Sequence, residues 1–166
     1  MRYFGGKIGL LEAIFEEAWI DLNQQIEDAI EKGVSAGGRV TLLAVFDTLD
    51  AALARDSELA MLFLFEGRRL RGKHRVRDAT GFVKFGDTVR RLVRRAQTAN
   101  EISPSLDAQA LASSIIGAAE GMTRDRLIAR LSGGRGISER EFHRTIDAML
   151  GGFAHVETTR RERGKR

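Results

Sequence analysis

The sequence predicts an all-α protein, and three observations carry that prediction. Apolar residues recur every three or four positions over long stretches, and no segment keeps the strict alternation of a half-buried strand. Pro104 is the only proline in 166 residues, so almost nothing interrupts a helix. Glycine pairs and capping residues fall between the periodic segments, where helices end and begin. A chain of this length with 43% apolar residues can bury one interior core.

Six helices can be drawn in order. Ile8, Leu11, Phe15, Trp19, Leu22, Ile26 and Ile30 lie on one stripe of a first helix that runs to about Lys32, with Gly33 as its stop. After Gly37-Gly38, a second helix places Leu42, Phe46, Leu49 and Leu53 on one face. Asp56 or Ser57 can cap a third. That helix (Leu59, Met61, Leu62, Phe63, Leu64, Phe65) is apolar nearly all round, as expected of one surrounded by others. A basic run from Arg68 to Arg77, broken by Gly72, marks the next boundary. The fourth helix carries Val76, Phe82, Val83, Phe85, Val89, Leu92, Val93 and Ala96. Arg90, Arg91, Arg94 and Arg95 lie on its outer face, near the negative end of its dipole.

A loop from Asn100 to Ser105 leads to a fifth helix, from about Leu106 to Leu131, whose middle is rich in small residues: Ala112, Ser113, Ser114, Gly117, Ala118, Ala119 and Gly121. Ser138 and Glu141 have capping-box spacing at the start of the sixth helix. There Phe142, Ile146, Met149, Leu150, Phe153 and Val156 form a stripe.

Composition narrows the function. No cysteine is present, which excludes disulfides and thiolate metal sites and fits a cytoplasmic protein. No run reaches the roughly 18 apolar residues of a membrane span, and there is no signal-peptide pattern. The net charge of +4 arises largely from the Arg68–Arg77 run and the Arg160–Arg166 tail. The tail has nothing apolar to pack and is expected to be disordered over 157–166. His74, His143 and His155 are too scattered for a metal site. Gly133-Gly134-Arg135-Gly136 lacks the Gly-Lys-Ser/Thr ending of a phosphate loop. The expectation is therefore no enzyme, no metal and no cofactor.

The N-terminal stretch carries a resemblance. Tyr3, Phe4, Lys7 and Leu10 match the pattern at which, in TetR-type transcriptional regulators, the recognition helix ends and a long linking helix begins. The loop Asn100-Glu101-Ile102-Ser103-Pro104-Ser105-Leu106-Asp107 and the later Gly117-Ala118-Ala119-Glu120-Gly121 resemble the same family. Met1 stands where the family has a tyrosine, and Gly6 where it has a serine-like cap. The resemblance implies a ligand-responsive regulator, a repressor by class, present here without most of its helix-turn-helix head. Residues 1–6 would be a remnant of that head and its hinge. Residues 7–156 would form a TetR-like regulatory core that binds ligand and dimerises. It further implies that Tyr3 and Lys7 descend from DNA-phosphate contacts, and that DNA is a partner only of a form with the complete head, whose two recognition helices would sit about 34 Å apart.

Two site assignments follow. The first four helices enclose a ligand cavity in the family, which makes Trp19, Phe46, Leu49, Phe63, Phe82 and Phe85 its candidate lining for a small hydrophobic or aromatic effector. Glu66, Arg68, Thr80 and Lys84 are its candidate polar groups. Phe63 and Phe65 stand two residues apart, so their rings cannot share one face of a helix. The last two helices would pair with their copies as a four-helix bundle in a homodimer. Its candidate interface is Ile115, Ala118, Ala119, Met122, Phe142, Ile146, Met149 and Phe153, since the sixth-helix stripe would otherwise lie exposed. A different class of function remains open: an all-helical small-molecule carrier or sensor that never binds DNA. A third reading, nonspecific nucleic-acid binding, would use the Arg68–Arg77 run.

Overall fold

The computed structural model describes residues 6–66 and 80–154. Among these residues the regular structure is all helical, joined by short loops, with no strands. Helix α1 (Gly6–Gly33) ends in a 3-10 turn (Val34–Ala36) that leads to α2 (Gly38–Arg55). Helix α3 (Ser57–Met61) runs directly into a π-helical turn (Leu62–Glu66). Helices α4 (Thr80–Thr98), α5 (Ala108–Ser132) and α6 (Glu139–Ala154) complete the described chain. None of these helices is long and apolar enough to cross a membrane.

The cap expected at Asp56 or Ser57 and the Ser138–Glu141 capping box both form, and the structure adds caps at Asp107 and Gly133. The Asp56 carboxylate accepts from the backbone N–H groups of Glu58 and Leu59 and starts α3. Asp107 does the same for α5, accepting from Ala110 at 2.8 Å, and Gly133, at φ +70°, closes that helix in the left-handed conformation. Ser138 and Glu141 form the capping box in both directions, at 2.8 and 3.2 Å. One cap comes from far away in sequence. Glu101 accepts from the Arg39 backbone N–H and places its carboxylate against the positive end of α2.

The central helix is α2, which packs on α1, α3, α4, α5 and α6. The sequence had pointed to α3, because α3 is apolar all round. In the structure α3 is short and lies at the edge, with Met61 exposed. Helix α2 is central although it carries Thr41 and Asp50, because both are satisfied inside the fold. Thr41 donates to the carbonyls of Gly33 and Gly37, and Asp50 pairs with Arg126. Its close approach to α4 depends on Gly38, where an added Cβ would lie 2.7 Å from the Ala96 nitrogen.

The stripe of α6 is also covered from within. Phe142, Ile146 and Leu150 are each 0% exposed, buried in the chain's own core against α2. The premise that this stripe needs a second copy to cover it therefore does not hold.

Candidate functional site

Helices α1 to α5 converge on one small cavity lined by Phe15, Trp19, Leu49, Leu53, Phe63, Leu64, Phe82, Phe85, Ile116, Ala119, Glu120 and Thr123. Trp19 is its centre. Its ring makes edge contacts with Phe63 at 4.4 Å and Phe82 at 5.8 Å, and lies 5.9 Å from Phe85 and 6.3 Å from Phe15. Such aromatic pairs are each worth about 0.5–1.5 kcal/mol beyond the area they bury.

The crossing of α1 over α4 fixes Trp19 in place. Asn23, one turn on, donates through its amide to the Trp19 carbonyl at 2.9 Å and to the Gly81 carbonyl at 3.2 Å. At Gly81 the two helices nearly touch: an added Cβ would lie 2.3 Å from the Cβ of Trp19. Only glycine permits this crossing distance.

Five of the six candidate lining residues, Trp19, Leu49, Phe63, Phe82 and Phe85, line the cavity. Phe46 does not. It is fully buried behind the wall, 6.1 Å from Phe85, and supports it. The side chain of Glu66 falls outside the described residues, as do Arg68 and the whole Arg68–Arg77 run. Thr80 and Lys84 lie elsewhere, on an open surface groove with Glu27, Asp87 and Arg91. The polar groups that do line the cavity, Glu120 and Thr123, come from α5 and were missed. Their signal was available: they stand one turn and two turns beyond Ile116, on or beside the same helix face. Tyr3 and the 157–166 tail lie outside the described residues, and so does the side chain of Lys7.

The cavity has a volume of about 40 Å³. At roughly 10–15 Å³ per water this holds about three waters, against about 150 Å³ for an engineered cavity that admits benzene. Two polar features stand out. The Thr123 hydroxyl donates to its own helix, to the Ala119 carbonyl. The indole N–H of Trp19, in a residue only 4% exposed, has no acceptor among the described residues. A buried donor left in this state costs about 1–3 kcal/mol.

A second buried polar group lies at the other end of α5. Arg126 spans to Asp50 with Nη1–Oδ1 at 2.8 Å and Nη2–Oδ2 at 3.1 Å, and its Nε–H donates to the Ile137 carbonyl at 2.6 Å. It ties α2, α5 and the loop before α6 together. Burial pushes the Asp50 carboxyl above the ordinary range, outweighing the hydrogen bond and charge of Arg126, and Glu139 and Asp47 add to the rise. Nearby, His143 pairs with Asp47 at 2.8 Å on the surface. No cluster among the described residues has the ligands to hold a metal ion.

The proposed interface residues divide by face. Ile115, Ala119, Phe142 and Ile146 point into the chain's own core and cannot meet a second copy in this conformation. Met122 and Phe153 are partly buried against that core. Ala118 and Met149 remain partly exposed. The outward face of α5 instead presents Ala110, Ser114, Gly117, Gly121 and Ile128, spaced three, four or seven apart, with Ile128 50% exposed. Ala148 and Gly152 lie on the outward face of α6. Periodicity finds an apolar stripe but does not say which body covers it, so the stripe was assigned to a partner when it belongs to α2. Compared with known proteins, the chain matches no family model, no curated protein and no solved structure.

Proposed function

We propose that this chain is the effector-binding and dimerising core of a TetR-type transcriptional regulator, a repressor by class, which carries out no chemistry of its own. One observation carries the reading. Residues picked from the first four helices as an effector site converge on a single aromatic cavity, and α1 forms one of its walls. In a regulator of this kind α1 is the helix that continues from the DNA-reading head. A ligand that alters the seat of Trp19 acts directly on that helix. It shifts the head only by its difference in affinity between two arrangements, typically a coupling of about 1–3 kcal/mol.

Dimerisation belongs to the same reading, but through the outward faces of α5 and α6. Ser114, Gly117, Gly121, Ala148 and Gly152 let another helix approach closely, Ala118 and Met149 flank them, and Ile128 extends the apolar surface. Gly117 gives a clean test because nothing lies within 4 Å of a Cβ added there. Gly117→Arg is harmless to the single subunit and even improves helix propensity. Light scattering at micromolar concentration should give the mass of two chains for the parent and one for Gly117→Arg. A monomeric parent refutes the dimer. Translation of the nucleotide sequence upstream of Met1 tests the regulator itself: an in-frame helix-turn-helix supports it, and a nearby stop codon favours a carrier.

A further inference from the structure

We infer that the cavity selects a molecule without negative charge that bears a hydrogen-bond-accepting oxygen or nitrogen, held with that atom on the Trp19 indole N–H. The inference rests on reading the cavity as the effector site and specifies what enters it.

Three observations define the ligand. The Trp19 N–H is a buried donor without an acceptor among the described residues, in a cavity that the residue itself lines. A pure hydrocarbon leaves that donor as costly as it is now, whereas a ketone, ether, amide or aza-aromatic satisfies it. The rest of the wall is mainly Phe15, Phe63, Phe82, Phe85 and branched aliphatic side chains, which favour a flat apolar body. Glu120, an acidic residue, is among the described lining groups, so a carboxylate or phosphate ligand would enter against like charge.

The wall also shows where room is made. Phe85 is fully buried and braced from behind by Phe46, so it stays in place. Phe63 and Phe82 are only partly buried, and both make edge contacts with Trp19. Phe63 belongs to the π-helical turn Leu62–Glu66. Such turns break the regular ladder and are frequent where a helix serves a ligand. A single-ring ligand needs more room than the roughly three waters' worth the cavity holds, and displacing these two rings would supply it.

Trp19 is the chain's single tryptophan, so a ¹⁵N-labelled sample gives one indole N–H cross-peak. Acetophenone and ethylbenzene, nearly equal in shape, differ in the acceptor, and benzoate adds the charge. Acetophenone should move the indole proton downfield saturably and bind about three- to tenfold tighter than ethylbenzene, the usual worth of one net hydrogen bond. Benzoate should bind more weakly than both. Trp19→Phe should abolish the acetophenone preference, and if that variant does not fold, the cross-peak of the parent decides alone. Equal binding of acetophenone and ethylbenzene with an unmoved indole signal overturns the acceptor assignment and leaves the cavity as an effector site. Absence of binding by all three at millimolar concentration overturns both.

Discussion

Replacing Arg126 by methionine should reveal how the buried pair holds the α5–α6 end of the bundle together. The two side chains are 8% and 3% exposed, so water cannot screen Asp50 once the guanidinium is gone. Burial, Glu139 and Asp47 all push its carboxyl upward, and Arg126 supplies the downward push. In the variant nothing offsets that upward push, so folded Asp50 holds its proton to a higher pH than the unfolded chain does. An ordinary aspartate titrates near 3.9, so protonating one at pH 7 costs about 4 kcal/mol. That figure caps the electrostatic part, and it agrees with the roughly 3–5 kcal/mol seen when one partner of a buried pair is removed. The lost bond to the Ile137 carbonyl adds about 1 kcal/mol.

The sign with pH follows from proton counting. The folded variant binds a proton that the unfolded chain does not, so its stability falls as pH rises. The gap to the parent should be about 3–5 kcal/mol at pH 7 and should narrow by up to about 1.4 kcal/mol for each unit down toward pH 5. Urea unfolding followed by far-UV circular dichroism at pH 7, 6 and 5 measures it. The double variant Asp50→Leu/Arg126→Met should regain most of the loss, because no charge is then stranded. A gap below about 1 kcal/mol that ignores pH, or a double variant no better than the single one, refutes the argument.

Three further outcomes follow from the structure. Gly81→Ala drives a methyl into Trp19, so it should cost about 1–3 kcal/mol and red-shift the Trp19 fluorescence as α1 and α4 separate; an unchanged spectrum and melting curve contradict the crossing. Asp107→Ala removes the cap of α5 and should cost about 1 kcal/mol in urea unfolding. Bonds from Ser138 hold the Glu141 carboxyl below its ordinary range, so its contribution is complete above that range and is lost as pH falls through the lowered value. The melting-temperature difference between the parent and Glu141→Ala should therefore shrink on acidification.

Local chemistry made the element boundaries legible. Asp56 and the Ser138–Glu141 pair act within a few residues of the backbone groups they satisfy, so reading along the chain finds them. The cavity was legible in its rings, because large aromatic residues on core-facing stripes gather where helices converge. What stayed hidden is set by distance in sequence. The Glu101 cap on α2 reaches across 62 positions, and the Arg126–Asp50 pair across 76. The centrality of α2 depended on such partners, since Asp50 alone argues for a surface. Glu120 and Thr123 were passed over because α5 had been assigned wholly to dimerisation.

The two-sided build of α5 points to how the molecule would work. Helix α5 has two faces with different tasks. Ile116, Ala119, Glu120 and Thr123 line the cavity, while Ser114, Gly117 and Gly121 face outward within the same three turns. Proteins pack too tightly to absorb a new ring by local compression, so a ligand that displaces Phe63 and Phe82 shifts the helices around it. If a second copy sits on the outward face, each cavity lies one helix diameter, about 10 Å, from the partner. Ligand binding and dimerisation then share a free energy, and each must alter the other by the same factor. Saturating acetophenone should therefore change the dimer dissociation constant of the parent, as read by sedimentation equilibrium. An unchanged constant, with acetophenone demonstrably bound, would show that α5 stays rigid and that any signal travels through α1 alone.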